Sequence, residues 1–556
     1  MHMEEISGVV ALPDDALADA LRRLPLQSLA VARCVCKAWR DIVDARALLI
    51  PHLLPRSVHG IFINYLDHWQ PHLFLARPST PSTIDGMLSF LPSEVDRCMS
   101  VLDHCNGLLL CNITGRSLRV CNPATRQWTR LPWRKEASHF DDSYAHLYPR
   151  RSAGAYLAFD PAVSPHYQVF LIPVVPEKPT PPDPFGYEEV ERRALRWREE
   201  LANPFCLDWF FESPEDTLLA PEEETAGDQE DLSADEEDKN DPTRLMEWPP
   251  SPWTLSVFSS KTGQWEERDF VRQGDPAGLV KHVRMCNSEL SCWDGPRRRY
   301  SVYWKGALYV HCQGAFVARI PLSTTDKYKI IIVPANVKGG NPYLGRSKEG
   351  VCFGIVHNGE LHVWILNESH GQMEWALKCR HDLFKQARYI RSFLRHGEQM
   401  DGPWRVEEGR NIGSDKTVES DTGDDCPPVE AAGSGDEESD NSQSDSDDDD
   451  VWDSDTSDFL SDEDLDVLEE EEDECRGYTF DILGFHPYEE VVFLANSFGA
   501  AAYHLNSSKI EYLGNLQPKS YRSPPRGRHE SFVYTPCIIG VHHGDGPFGG
   551  LSKESA

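Results

Sequence analysis

Five stretches of this chain repeat one pattern: a short apolar run, a polar turn, then an aromatic residue. They are VCNPATRQW (120–128), VFSSKTGQW (257–265), IPLSTTDKY (320–328), ILNESHGQMEW (365–375) and HLNSSKIEY (504–512). The closing aromatics, Trp128, Trp265, Tyr328, Trp375 and Tyr512, are 137, 63, 47 and 137 residues apart. Each long gap contains a stretch of unlike composition, 178–250 in the first and 397–475 in the last. Removing these 73 and 79 residues leaves spacings of 64 and 58. A unit of this size is that of a four-stranded sheet in a radial repeat, in which several such sheets share one core. Short apolar runs such as NGLLLCN, YQVFLIPVV and ALYVHC, bounded by Gly, Asn, Asp and Ser, predict strands. HNGEL predicts a two-residue hairpin, because Asn358-Gly359 takes positive φ at low cost. GIFINYL (60–66) and ESFVYTPCIIGV (530–541) are expected to pair and close the ring between the two chain ends, giving about six blades, with a seven-blade ring or two packed sheets as the alternatives.

Charge separates the interrupting stretches from the body. Residues 212–241 hold 14 acidic and 1 basic residue, and 415–474 hold 28 and 1. Together these two segments carry −40 against −35 for the whole chain, so the remainder is near +5. Dense like charge with few apolar groups cannot bury a core, so the acidic segments are expected to be disordered inserts. Trp452, Phe459, Leu460, Leu465 and Leu468 lie among the acids as a short binding segment would, and Ser446, Ser454 and Ser461 suit acid-directed kinases. GYEEVERRALRWREELANPF (186–205) predicts an amphipathic helix carrying Val190, Ala194, Leu195, Trp197 and Leu201.

The N-terminal stretch LPDDALADALRRLPLQSLAVARCVCKAWRDIVD reads instead as a compact helical unit. Pro13, Asp14 and Asp15 suit a helix start. Leu17, Ala20, Leu21 and Leu24 form a stripe at i, i+3, i+4 and i+7, and Pro25 ends the element. A second helix is expected from near Ser28 toward Trp39, Ile42 and Val43. So short a unit cannot hide all of its apolar side chains, and a partner is expected to cover part of them. Cys34 and Cys36 are spaced C-x-C with no second pair, which does not suit zinc, and are read as buried thiols acting as small hydrophobes.

This stretch resembles the F-box. The matching residues are Leu12-Pro13, Leu17, Leu21, Leu24-Pro25, Leu29, Val35-Cys36-Lys37 and Trp39-Arg40. The resemblance implies docking on the Skp-family adaptor of a cullin-RING ubiquitin ligase, through Leu12, Pro13, Leu17, Leu21, Leu24, Pro25, Leu29, Val35 and Trp39. The body resembles the plant F-box-associated domain in CNGLLLC (105–111), VCNPATRQWTRLP (120–132), AFDP (158–161) and GFHPYEEVVFL (484–494). That likeness implies a domain that presents targets.

Fixed catalytic constellations are not found. KGGNPYLG (338–345) lacks the lysine pattern of a phosphate loop, and VHHGDG (541–546) lacks a third metal ligand. The basic clusters GPRRRY and PPRGRH are short, and no apolar run reaches the length of a membrane span. Fifteen cysteines without regular spacing point to free thiols in cytosol or nucleus.

The expected architecture is α+β multidomain: a small all-α F-box at 8–50, then a mainly-β, propeller-like domain in three parts. These are 58–177, 251–396 and 476–542, with inserts at 178–250 and 397–475 and a disordered tail at 543–556. The expected function is that of a non-catalytic substrate receptor of an SCF-type ligase, without cofactor or metal, bridging adaptor and cullin to an unknown target protein, with no membrane or nucleic-acid partner. The competing reading is a scaffold or acidic chaperone-like protein whose inserts bind basic partners.

Overall fold

The computed structural model describes residues 13–24, 26–46, 48–49, 54–65, 72–78, 84–92, 99–113, 117–132, 153–173, 175, 242–283, 300–312, 315–322, 325–334, 341–369, 371–393, 402–407, 480–496, 498–518 and 528–541. Both acidic segments, the amphipathic helix expected at 186–205 and the 543–556 tail lie outside them, as do GPRRR and HHGDG.

Three helices come first: α1 Asp14–Arg22, α2 Leu26–Val35 and α3 Lys37–Ala45. The carbonyl of Pro13 accepts from the Leu17 amide at 3.0 Å, and Asp14 and Asp15 sit in the positive first turn. The second helix starts earlier than expected and breaks at Cys36, whose extended backbone (φ −156°, ψ 168°) caps α3. Leu21, Leu29, Ala32, Val43 and Leu48 form the core of this unit, and among the described residues the cluster contains none of the β-region. Ala18, not Ala20, is the buried alanine of α1. Exposed ion pairs fasten the edges: Arg33 grips Asp44 through Nε at 2.7 Å and Nη2 at 3.0 Å, and Arg46 reaches Asp15.

The rest is mostly β. One four-stranded sheet takes strands from both ends of the body: β1 (Gly60–Tyr65), β2 (His72–Ala76), β21 (Arg405–Glu407) and β26 (Arg528–Tyr534), in the order β21-β2-β1-β26. Three more four-stranded sheets are simple meanders. The first is β3 (Met99–Cys105), β4 (Leu108–Ile113), β5 (Ser117–Asn122) and β6 (Gln127–Arg130). The second is β17 (Asn341–Arg346), β18 (Val351–His357), β19 (Glu360–Ser369) and β20 (Gln372–Asp382). The third is β22 (Phe480–Phe485), β23 (Val491–Asn496), β24 (Gly499–His504) and β25 (Ile510–Asn515).

An eight-stranded sheet completes the set. Half of it is β7 (Ala153–Ala158), β8 (Gln168–Pro173), β10 (Trp253–Ser259) and β11 (Gln264–Gln273). The other half is β13 (Ser301–Trp304), β14 (Ala307–His311), β15 (Phe316–Pro321) and β16 (Lys327–Ile332). A parallel pairing of β11 with β16 over Val271–Gln273 joins the halves. A small pair, β9 (Glu247–Trp248) with β12 (Gly278–Leu279), sits beside them.

The five repeat aromatics all fall on the fourth strand of a meander: Trp128 on β6, Trp265 on β11, Tyr328 on β16, Trp375 on β20 and Tyr512 on β25. The opening strands of the meanders, together with edge strand β26, meet one another in a cycle, β3 with β7, β7 with β13, β13 with β17, β17 with β22, β22 with β26 and β26 with β3. Strand β1 pairs antiparallel with β26, Phe62 opposite Phe532, so chain ends more than 460 residues apart share one sheet. Two-residue turns with positive φ join strands at Asn106-Gly107, Lys305-Gly306 and Asn358-Gly359. At Gly107 (φ 86°) an added Cβ would lie 2.3 Å from the Cys537 side chain, so the turn and the C-terminal segment permit no larger residue.

That C-terminal segment is latched by Asn122, which is fully buried. Its Nδ2 donates to the carbonyls of Cys537 and Ile539, both at 2.8 Å, while its Oδ1 accepts from the Ala124 amide at 3.0 Å.

Three differences from the expected domain plan have local causes. Residues 242–250, placed by composition in the first insert, carry β9 and a buried Trp248 that packs on Trp253, ring centroids 6.2 Å apart. Residues 402–407, placed in the second, add β21 to the edge of β2 and bury Trp404. A fourth helix, α4 (Phe384–Ser392), was not anticipated. The Asp382 carboxylate accepts from its first amide at 2.9 Å, and buried Ala387 and Ile390 seat it beside β23 and β24.

Candidate functional site

Two places combine exposure with unusual chemistry: the outer side of α2 and the point where the first strands converge.

On α2, Leu29 and Ala32 turn inward, so Val31 and Val35, one turn apart, face outward at 66% and 61% exposure. Cys34 and Cys36 are exposed beside them, which corrects the expectation of buried thiols. The inward stripe of α2 is already filled, and Cys36 lies in the extended break before α3. Among the residues expected to dock a partner, Pro13 is exposed, while Leu17, Leu24 and Trp39 are half-buried against the helical core. Leu21 and Leu29 are 2% and 0% exposed and form that core. Leu12 and Pro25 lie outside the described residues. Val31, absent from the sequence motif, was missed; its i, i+4 relation to Val35 is the signal that could have found it.

The second place is a cavity of about 100 Å³ lined by residues of β3, β13, β17, β22 and β26 and of the turns next to them. Three of the stretches quoted above for the body come together beside it. Asn106 Nδ2 donates to the Phe159 carbonyl at 2.7 Å, and Phe159 and Cys105 exchange two contacts at 3.3 Å. Phe485, Pro487 and Tyr488 also line it.

Asp103 is buried at the inner end, accepting from the Leu157 amide and the Ser301 hydroxyl, both at 2.7 Å. Burial outweighs those bonds and lifts its carboxyl to about 7. Burial also pulls His104 down to about 4, and His486 to about 3, where Arg77 adds to the effect. Between the unfolded value near 4 and about 7 the native state holds the extra proton on Asp103, so this residue's contribution to stability falls as pH rises through that window. The two histidines act in the opposite sense, losing stability as pH falls below about 6.5. Asp103→Asn is therefore expected to stabilise the body at pH 8, on the order of 2–4 kcal/mol, and by less, on the order of 1–2 kcal/mol, at pH 5. Thermal melts at both pH values check this; an equal effect at both would contradict a carboxyl held neutral by burial.

Among the described residues, no group of three or more His, Cys, Asp or Glu is placed to hold a metal, and no helix is long and apolar enough to cross a membrane.

Residues 10–50, which include all three helices, match the F-box domain family. An F-box protein of Arabidopsis thaliana is 29% identical over 177 residues, 30% of this chain and 38% of the relative. Another Arabidopsis chain named as an F-box protein is 28% identical over 141 residues, 24% of this chain and 36% of the relative. A third, named as an F-box/kelch-repeat protein, is 27% identical over 128 residues, 23% and 34% respectively. The aligned part spans less than half the length of each of these relatives.

Proposed function

We propose that this chain, with its F-box domain at 10–50, is the substrate receptor of an SCF-type cullin-RING ubiquitin ligase. The helical unit docks on a Skp-family adaptor, and the β-region, a ring of about six blades, holds the target protein. The chain itself makes and breaks no bonds; it brings a bound target close to the ubiquitin-transferring subunits, in the cytosol or nucleus. The cyclic order of these strand contacts, and the sheet built from both chain ends, support the ring reading.

The observation that carries the docking reading is the pair Val31 and Val35, apolar and outward-facing inside a segment matched to the F-box. Covering one valine side chain is worth about 1.5–3 kcal/mol, so the pair can supply a large part of a micromolar affinity. The adaptor surface is thus assigned to Val31, Val35, Pro13 and the exposed parts of Leu17, Leu24 and Trp39; Leu12 and Pro25 are proposed for it from the motif alone. Leu21 and Leu29 shape that surface from within. The test is co-purification of adaptor and cullin with the full chain carrying Val31→Glu and Val35→Glu: recovery should be lost while the melt is unchanged, and undiminished recovery would overturn the assignment.

A further inference from the structure

The cavity lined by β3, β13, β17, β22 and β26 contains a guanidinium with little to hold. Arg346 ends β17, and its plane lies beside two aromatic rings, 5.1 Å from the Trp304 ring centre and 5.6 Å from that of Tyr488. Its Nη1 donates to Asn106 Oδ1 at 3.5 Å, the outer limit of a hydrogen bond, and its Nε is buried with no acceptor among the described residues. A buried guanidinium edge without an acceptor costs free energy that a bound oxygen acceptor would recover. Among the described lining residues Arg346 is the one permanent cation, since His104 is held neutral by burial.

The shape of the site narrows what could enter. Tyr300 and Tyr343, ring centres 4.0 Å apart, form an apolar floor with Phe532 and Phe485. Gly345 lets Phe485 approach, because an added Cβ would lie 2.6 Å from that ring. At about 100 Å³ the space is well below the roughly 300–1,000 Å³ of pockets for drug-sized ligands. It has room for the end of one side chain or of one polypeptide. A planar, two-oxygen acceptor matches the fork of an arginine better than any neutral group does. The one acid in the lining, Asp103, already accepts two hydrogen bonds from the chain itself.

We propose that this cavity binds a carboxylate of the target protein, either an Asp or Glu side chain or a free C-terminus, through Arg346 held between Trp304 and Tyr488. The proposal rests on the receptor reading for the origin of the carboxylate, but not for the binding itself. Trp304 and Tyr488 position the guanidinium, and the aromatic floor takes the apolar part of the same residue.

The probe is a random octapeptide library, half with free C-termini and half amidated, selected against the full chain. The best sequences are then measured by fluorescence anisotropy against the wild type, Arg346→Lys and Arg346→Gln. The selected peptides should share a carboxylate, and Arg346→Gln should weaken them about 10-fold to 100-fold, the worth of a hydrogen-bonded charge, with Arg346→Lys between. Loss of binding on amidation assigns the chain end; loss on Glu→Gln or Asp→Asn with tolerance of the amide assigns the side chain. Failure of the library to yield binders, binders without a needed carboxylate, or binding indifferent to Arg346→Gln would each overturn the site. Adaptor recovery by Arg346→Gln should equal that of the wild type. Peptide binding that survives alongside failed adaptor docking would sink the receptor reading and leave this site standing.

Discussion

Phe62→Ala is expected to cost the β-region about 3–5 kcal/mol, the usual loss for a buried phenylalanine that leaves a cavity. Phe62 is fully buried on the strand that joins the two chain ends. Its ring lies 4.6 Å from Phe74 and meets Tyr534 edge-on at 5.4 Å, so one substitution empties a contact shared by β1, β2 and β26. Few alternatives can fill the space, because Gly60 and Gly86 already press against Phe74, where an added Cβ would come within 2.3 Å of the ring. The expected signature is local before it is global: faster hydrogen exchange in Gly60–Tyr65 and Arg528–Tyr534, with the meander of β17 to β20 protected as in the wild type. A loss below about 1 kcal/mol, or uniform exchange throughout, would mean that the ends are not what closes the body.

Leu29→Asp should have the second large effect, and a different one. Leu29 is fully buried at the centre of a five-residue core. An unpaired carboxylate there costs several kcal/mol, more than a unit of some forty residues can spare. The three helices should unfold while the β-region stays folded, since among the described residues the helical core shares no buried residue with the sheets. In calorimetry, a small low-temperature transition disappears and the main one stays in place. Adaptor binding is lost with it, but through unfolding. A docking test made on Leu21 or Leu29 would thus confuse surface with scaffold, whereas Val31 and Val35 separate them.

Much of the fold was legible because its signals are local. Each repeat aromatic sits just past a polar turn on a fourth strand, so period-two apolar runs and turn residues located Trp128, Trp265, Tyr328, Trp375 and Tyr512 within their sheets. The pairing of 60–65 with 528–534 followed from the need to hide two edges. Composition misled at the margins: Trp248 and Trp404 border acidic stretches, and tertiary packing draws them into the body. The helix α4 was hidden among strands, although Leu383, Ala387 and Ile390 follow i, i+4, i+7. The site residues divide in the same way. The F-box spacing marked the helical unit, but motif positions do not say which side chains face out: Leu21 and Leu29 fill the core, and Leu17, Leu24 and Trp39 are half-buried against it. Arg346 carried no sequence signal, because its meaning comes from Trp304 at the end of β13 and Tyr488 between β22 and β23, both distant in sequence.

The central claim is that an outward apolar face of α2 docks the chain on its adaptor, and calorimetric titration of a purified Skp-family adaptor into the full chain tests it most directly. The wild type should bind, and the chain with Val31→Glu and Val35→Glu should bind at least about 100-fold more weakly, the equivalent of ~2.7 kcal/mol, with an unchanged melting profile. Equal affinity for the two chains would contradict it.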